Sequence, residues 1–224
     1  MRVSALFGVA LAALLACERG DANPAALTST SMVTDFAPLP LVPEGYEFAT
    51  LAGGCFWCLE ADLEKVPGVL FAVSGYTGGH KARPTYEETG TKKTGHAEAV
   101  RVVYDPKRLS YAKLLEFFWR HIDPTDAEGQ FCDRGDVYRP EIFVHDAEQR
   151  RIAEASRRTL EATRPFTAPV RVPITDAGVF WTAENYHQDY AQRNPVRYRT
   201  YRMGCGRDRR LDALWRPAEK VVRP

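Results

Sequence analysis

The chain has 224 residues, 45% of them hydrophobic and 26% charged, with a formal net charge of +1. This is an ordinary globular composition, long enough for one large domain to bury its own core. The balanced charge offers no electrostatic basis for binding nucleic acid, and no internal repeat or low-complexity tract is visible.

The N-terminus reads MRVSALFGVALAALLAC, one arginine followed by an apolar run from Val3 to Ala16. The run is shorter than the roughly 20 residues of a spanning helix and fits the apolar region of an export signal. Its end, LLAC, resembles a bacterial lipoprotein signal, so residues 1–17 are expected to end at a lipidated Cys17. Multiple acyl chains would then hold the protein on a membrane, exported and periplasmic. Residues 18–44, rich in Ala, Ser, Thr and Pro, read as a flexible tether, and residues 45–216 as the folded domain with a cysteine-bearing tail.

Tyr46–Leu51 reads as a strand that ends at Gly53-Gly54. Phe56–Lys65 reads as a helix with Leu59 and Leu63 four apart, stopped by Pro67-Gly68. Val69–Ser74 is a second strand. A long glycine-punctuated loop follows to His96, and a loop of that length inside a domain is usually functional. Residues 97–106 alternate as a strand. Ser110 caps a helix carrying Leu114, Leu115, Phe118 and Ile122 on one face. After a polar loop come a strand at Glu141–His145, a charged helix from Asp146 to Thr163, a strand at Pro169–Thr175 and a helix at Ala183–Arg193. The tail around Cys205, flanked by Gly204 and Gly206, reads as mobile. The interleaved pattern predicts an α+β fold, a mixed sheet covered by helices.

GGCFWC at 53–58 carries the chemistry. Cys55 sits where a strand meets a helix, and a helix N-terminus lowers a thiol pKa. Cys58 follows one turn later, close enough to close a disulfide. Three readings stand: a redox nucleophile, a zinc site completed by Cys132 and Cys205, or a structural disulfide.

The strings GGCFWCLE, GYTGG, RPTYEE, TGHAEAVRVVYDP, FCDRGDVYRPEIF and AENYHQDY occur in that order. Together they resemble the peptide methionine sulfoxide reductase A family. The resemblance implies a two-layer sandwich with a ferredoxin-like core and reduction of the S epimer of methionine sulfoxide, protein-bound or free. Cys55 matches the nucleophile, Glu98 the proton donor, Tyr86 and Tyr138 the hydroxyl donors, and Asp133 an active-site carboxylate. Phe56 and Trp57 would cup the substrate methyl. Gly54 and His96 would support the loops, and Glu184–His187 the packing around them. No metal or organic cofactor is implied; reducing equivalents would come from a thioredoxin-like dithiol protein acting on a monomer.

Resolution of the sulfenic acid left on Cys55 has three candidates: Cys58, Cys132 and Cys205. With Cys17 lipidated four cysteines remain, which suggests that Cys58 resolves Cys55 and that Cys132 and Cys205 pair as a staple or a relay. The alternative is a general thioredoxin-like thiol–disulfide oxidoreductase using the C-x-x-C pair.

Overall fold

The computed structural model describes residues 35–216. The expected signal, Cys17 and most of the expected tether lie outside those residues. Among the described residues no helix is long and apolar enough to cross a membrane.

The strands are β1 (Glu47–Gly53), β2 (Val69–Thr77), β3 (Ala97–Tyr104), β4 (Gly129–Gln130), β5 (Asp133–Arg134), β6 (Pro140–Val144), β7 (Ile174–Asp176) and β8 (Trp181–Thr182). The helices are α1 (Phe56–Leu63), α2 (Tyr86–Gly90), α3 (Tyr111–Arg120), α4 (Ala147–Thr163), α5 (Tyr190–Arg193), α6 (Pro195–Cys205) and α7 (Arg207–Trp215). Six strands form one sheet in the order β7-β6-β1-β3-β2-β8. Among the described residues only the β6–β7 pair is parallel. Its centre, β6-β1-β3-β2, connects as β1-α1-β2-β3-α3-β6, the split βαβ arrangement of a ferredoxin-like core.

Strand alternation assigns the two faces. Glu98, Val100, Val102 and Tyr104 of β3 share one side with Leu51, Tyr76 and Ile142, and on that side Leu59, Leu63, Leu114, Phe118, Ala153 and Leu160 of α1, α3 and α4 close the main core. Ala97 and Ala99 point the other way, into a smaller cluster with Val73, Phe143 and Phe180. A carboxylate on the helix-covered face is unusual unless it has work to do there.

The tether boundary needs correction. Asp35 and Ala37 are already part of the fold: Asn185 N donates to Asp35 O at 2.8 Å and Ala37 N to Ala183 O at 3.0 Å. The strand expected over residues 169–175 is short, confined to Ile174–Asp176, and the helix expected over 183–193 is broken into a 3-10 turn at Asn185–His187 and α5. The tail expected to be mobile is instead two helices. Gly206 takes φ 72° and ends α6 as a left-handed cap, so the glycine serves as a helix stop where flexibility was anticipated.

Candidate active site

Cys55 is the residue preceding α1. The backbone there turns through Gly54 at φ 82°, and a Cβ on Gly54 would lie 2.5 Å from Cβ of Gln130. Gln130 is itself fixed: it accepts from Asp123 N at 2.8 Å and donates to Asp123 O at 2.9 Å. Cys55 is 6% and Cys58 2% exposed, both are free thiols, and they hydrogen-bond each other.

Glu98 reaches this helix start from β3. Its Oε2 accepts from Phe56 N at 2.9 Å, so one of the orphan amides of the α1 N-terminus is given to the carboxyl. Burial pushes the Glu98 carboxyl up to about 8, against that hydrogen bond; Asp133 and Cys58 add to the shift. Glu98 is therefore a protonated acid near neutral pH.

The thiols depart from expectation. Helix placement predicts a lowered Cys55 thiol, but burial raises it well above its ordinary value, helped by Cys58 and Glu98. Desolvation outweighs the end of a helix of only eight residues. Cys58 is the lowered partner, to about 7: the hydrogen bond from Cys55 comes first, and the Arg207 and Arg202 guanidiniums add to it against burial.

Of the remaining expected residues, Tyr86 lies near both Cys55 and Glu98, and Tyr138 and Asp133 lie near Glu98. Tyr86 and Tyr138 hydrogen-bond each other, and burial raises both phenols. Asp133 follows the β4–β5 turn, accepts a short hydrogen bond from Tyr201 OH and is raised by burial. Trp57 is half-buried; its indole stacks on Tyr190 with centroids 3.7 Å apart, and its Nε1 donates to His187 Nδ1 at 2.9 Å. Phe56 differs from expectation: its ring is fully buried against Tyr76 and His187, so it backs the site, and Trp57 and Tyr86 are the half-exposed aromatics. Glu184 ties the frame together, accepting from Tyr76 OH at 3.0 Å and Tyr86 N at 2.9 Å. His96 braces the long loop, accepting from Gly79 N at 3.1 Å.

Cys132 and Cys205 are joined by a disulfide across 73 residues. Among the described residues they form, with Asp133, a cluster of metal-donor atoms within 4.8 Å. The two sulfurs are bonded to each other, so the zinc arrangement considered from the sequence is not present. The bridge hangs α6 beside Asp133. From α6, Tyr201 lies within hydrogen-bond reach of the Cys55 sulfur.

Tyr201, Arg202 and Arg207 were not foreseen. Tyr198, Tyr201, Arg202 and Cys205 fall at i, i+3, i+4 and i+7, a helical stripe. That spacing was the available signal, and the flanking glycines masked it.

A buried thiol pair, a protonated carboxyl at the same helix start and a ring of hydroxyls define a thiol-based oxidoreductase site that can protonate the oxygen it removes. Comparison with known proteins gives the family. Residues 47–219 match the peptide methionine sulfoxide reductase family, and the chain belongs to it. It is 55% identical over 169 residues to peptide methionine sulfoxide reductase MsrA 2 of Caulobacter vibrioides, covering 75% of this chain and 85% of that one. It is 49% identical over 172 residues to MsrA of Bacillus licheniformis, covering 77% and 95%. Against the MsrA/MsrB protein of Vibrio cholerae the identity is 43% over 94% of this chain, which spans 52% of that protein. Methionine sulfoxide reductase A of Corynebacterium diphtheriae superposes with a TM-score of 0.62 at 29% identity, over 72% of this chain and 88% of that one. Reduced Mxr1 of Saccharomyces cerevisiae gives 0.60 at 29%, over 68% and 88%.

Proposed function

We propose that the protein reduces the S epimer of methionine sulfoxide, free or within oxidised proteins, to methionine. The carrying observation is the protonated Glu98 carboxyl at the α1 start beside Cys55. The Cys55 sulfur attacks the sulfoxide sulfur, passing its proton to the hydrogen-bonded Cys58 thiolate, while Glu98 delivers a proton to the sulfoxide oxygen. The sulfur–oxygen bond breaks, methionine leaves, and Cys55 holds the oxygen as a sulfenic acid. Tyr86 and Tyr138 donate to the oxygen as charge develops; Trp57 packs on the substrate's apolar portion.

The Cys58 sulfur then attacks the Cys55 sulfenic sulfur as its thiolate, and the proton taken from Cys55 goes to the departing hydroxyl, so the disulfide forms and water is released. Electrons come from a thioredoxin-like dithiol. It meets the more exposed Cys132–Cys205 bridge first, and the resulting dithiol reduces Cys55–Cys58 by exchange. The signal-like N-terminal sequence supports the reading that this repair takes place outside the cytoplasm, tethered at Cys17.

Incubation with each sulfoxide epimer and dithiothreitol tests the reading. Only the S epimer is consumed. Equal activity in Cys55→Ser rejects it. Reduction of protein disulfides without sulfoxide turnover would favour the thioredoxin-like alternative, which leaves Glu98 and the tyrosines without a task.

A further inference from the structure

The tail brings two guanidiniums onto the face of α1 that carries Cys58. Asp62 lies four residues beyond Cys58, on the same helical face. Arg202 Nη1 donates to both Asp62 oxygens at 2.9 Å and accepts nothing in return; its other edge pairs with Asp208 at 2.6 Å. Arg207 is only 1% exposed. Its Nη1 donates to Gly53 O at 3.2 Å and its Nη2 to His121 O at 2.7 Å. Among the described residues its Nε has no hydrogen-bond partner, and it stands 3.9 Å from Asp62 Oδ2.

The charges in this cluster do not cancel where they are buried. Arg202 and Arg207 share one fully buried anion, Asp62; the half-buried Asp133 also faces Arg207, and the Asp208 side chain is 62% exposed. A buried cation without an equal buried anion is costly, and the fold retains this one beside a thiol. The other groups facing Cys58 are Cys55 on its own helix, Tyr198 on α6 and Glu98 on β3. Tyr198 gives its oxygen to Arg202, and Glu98 is protonated, so neither supplies the missing negative charge.

We propose that Arg207, with Arg202, is a positioning residue for resolution: the two guanidiniums hold the Cys58 sulfur as the anion that attacks the Cys55 sulfenic acid. The inference rests on the reading that Cys58 resolves Cys55. It gives α6 and α7 a task in the reaction, since the Cys132–Cys205 bridge fastens the segment that carries both arginines.

The test uses the full chain with Cys17→Ser and Cys55→Ser and the Cys132–Cys205 bridge intact, which leaves Cys58 as the free thiol and keeps a hydroxyl donor at position 55. Ultraviolet absorbance of the thiolate is followed against pH. Arg207→Met moves the midpoint up by about one unit, about tenfold less thiolate on the acid side, and Arg207→Lys restores most of it. Should Arg207→Met fail to fold, Arg202→Gln carries the same measurement. An unchanged midpoint in a folded variant overturns the proposal. Separately, with Cys55 restored, single-turnover reaction with methionine S-sulfoxide is followed by dimedone trapping. Cys58→Ser accumulates the trapped sulfenic acid, and Arg207→Met slows its decay with a pH profile displaced in the same direction as the titration. Absence of accumulation in Cys58→Ser defeats the resolver reading, whatever the titration shows.

Discussion

The Glu98 carboxyl group, on the third strand of the chain, takes a hydrogen bond from the backbone N–H of Phe56 at 2.9 Å, across 42 residues. That contact locks the acid against the turn that presents Cys55. It also takes a helix-start amide that would otherwise stabilise the sulfur anion. The site thus favours a donor that keeps its proton over a nucleophile that is ionised at rest.

The first prediction concerns that proton. With Glu98 held near 8, oxygen transfer slows as pH rises through about 8. Glu98→Gln, which cannot supply a proton, lowers the single-turnover rate by about 10²–10⁴-fold and removes this alkaline limb. Stability carries the same signature. Between the unfolded value near 4.5 and the folded value near 8, the native state binds more protons than the unfolded one. Raising pH through that window therefore costs stability, and Glu60, also pushed to about 8 by burial, contributes with the same sign. Denaturant melts across the window check this, with Glu98→Gln showing the shallower slope.

Cys58→Ser separates reduction from resolution. One equivalent of methionine forms per enzyme, Cys55 remains trappable as a sulfenic acid, and steady-state turnover with a dithiol protein falls. Quantifying methionine per active site in a burst experiment decides it; normal repeated turnover contradicts the assignment.

Gly54→Ala meets two obstacles, a positive φ of 82° and a Cβ 2.5 Å from Gln130. We expect a loss of about 2–4 kcal/mol in unfolding free energy, from left-handed strain and overpacking together. Urea denaturation measures it. Gly178→Ala, where nothing lies within 4 Å, serves as the neutral control.

Cys205→Ser removes a bridge spanning 73 residues. Chain-entropy arguments put the cost at about 4 kcal/mol, visible as a lowered melting temperature. Under the relay reading, thioredoxin-driven turnover falls further than dithiothreitol-driven turnover. Equal losses with both reductants would leave the bridge a staple only.

Much of this site was legible before the fold was known. Gly53-Gly54-Cys55 announced a tight turn into a helix, and the alternation of Ala97, Glu98, Ala99 and Val100 placed a carboxyl on one side of a strand. What could not be read was burial. The Cys55 thiol was expected to be lowered because a helix end is visible in sequence, whereas its near-complete enclosure arises from elements distant in the chain. The same holds for Phe56, an aromatic beside the nucleophile whose ring turns inward onto Tyr76 and His187. The tail was misjudged for a local reason: Gly204 and Gly206 suggested looseness, and the helical stripe of Tyr198, Tyr201, Arg202 and Cys205 carried the stronger information.

The Cys132–Cys205 link also changes what a protease can accomplish. Everything from β5 to α6 lies on one covalently closed circuit, so a single cut between residues 133 and 204 opens the ring without releasing either piece. A nicked protein would migrate intact on a non-reducing gel and fall into two fragments only when thiol is added.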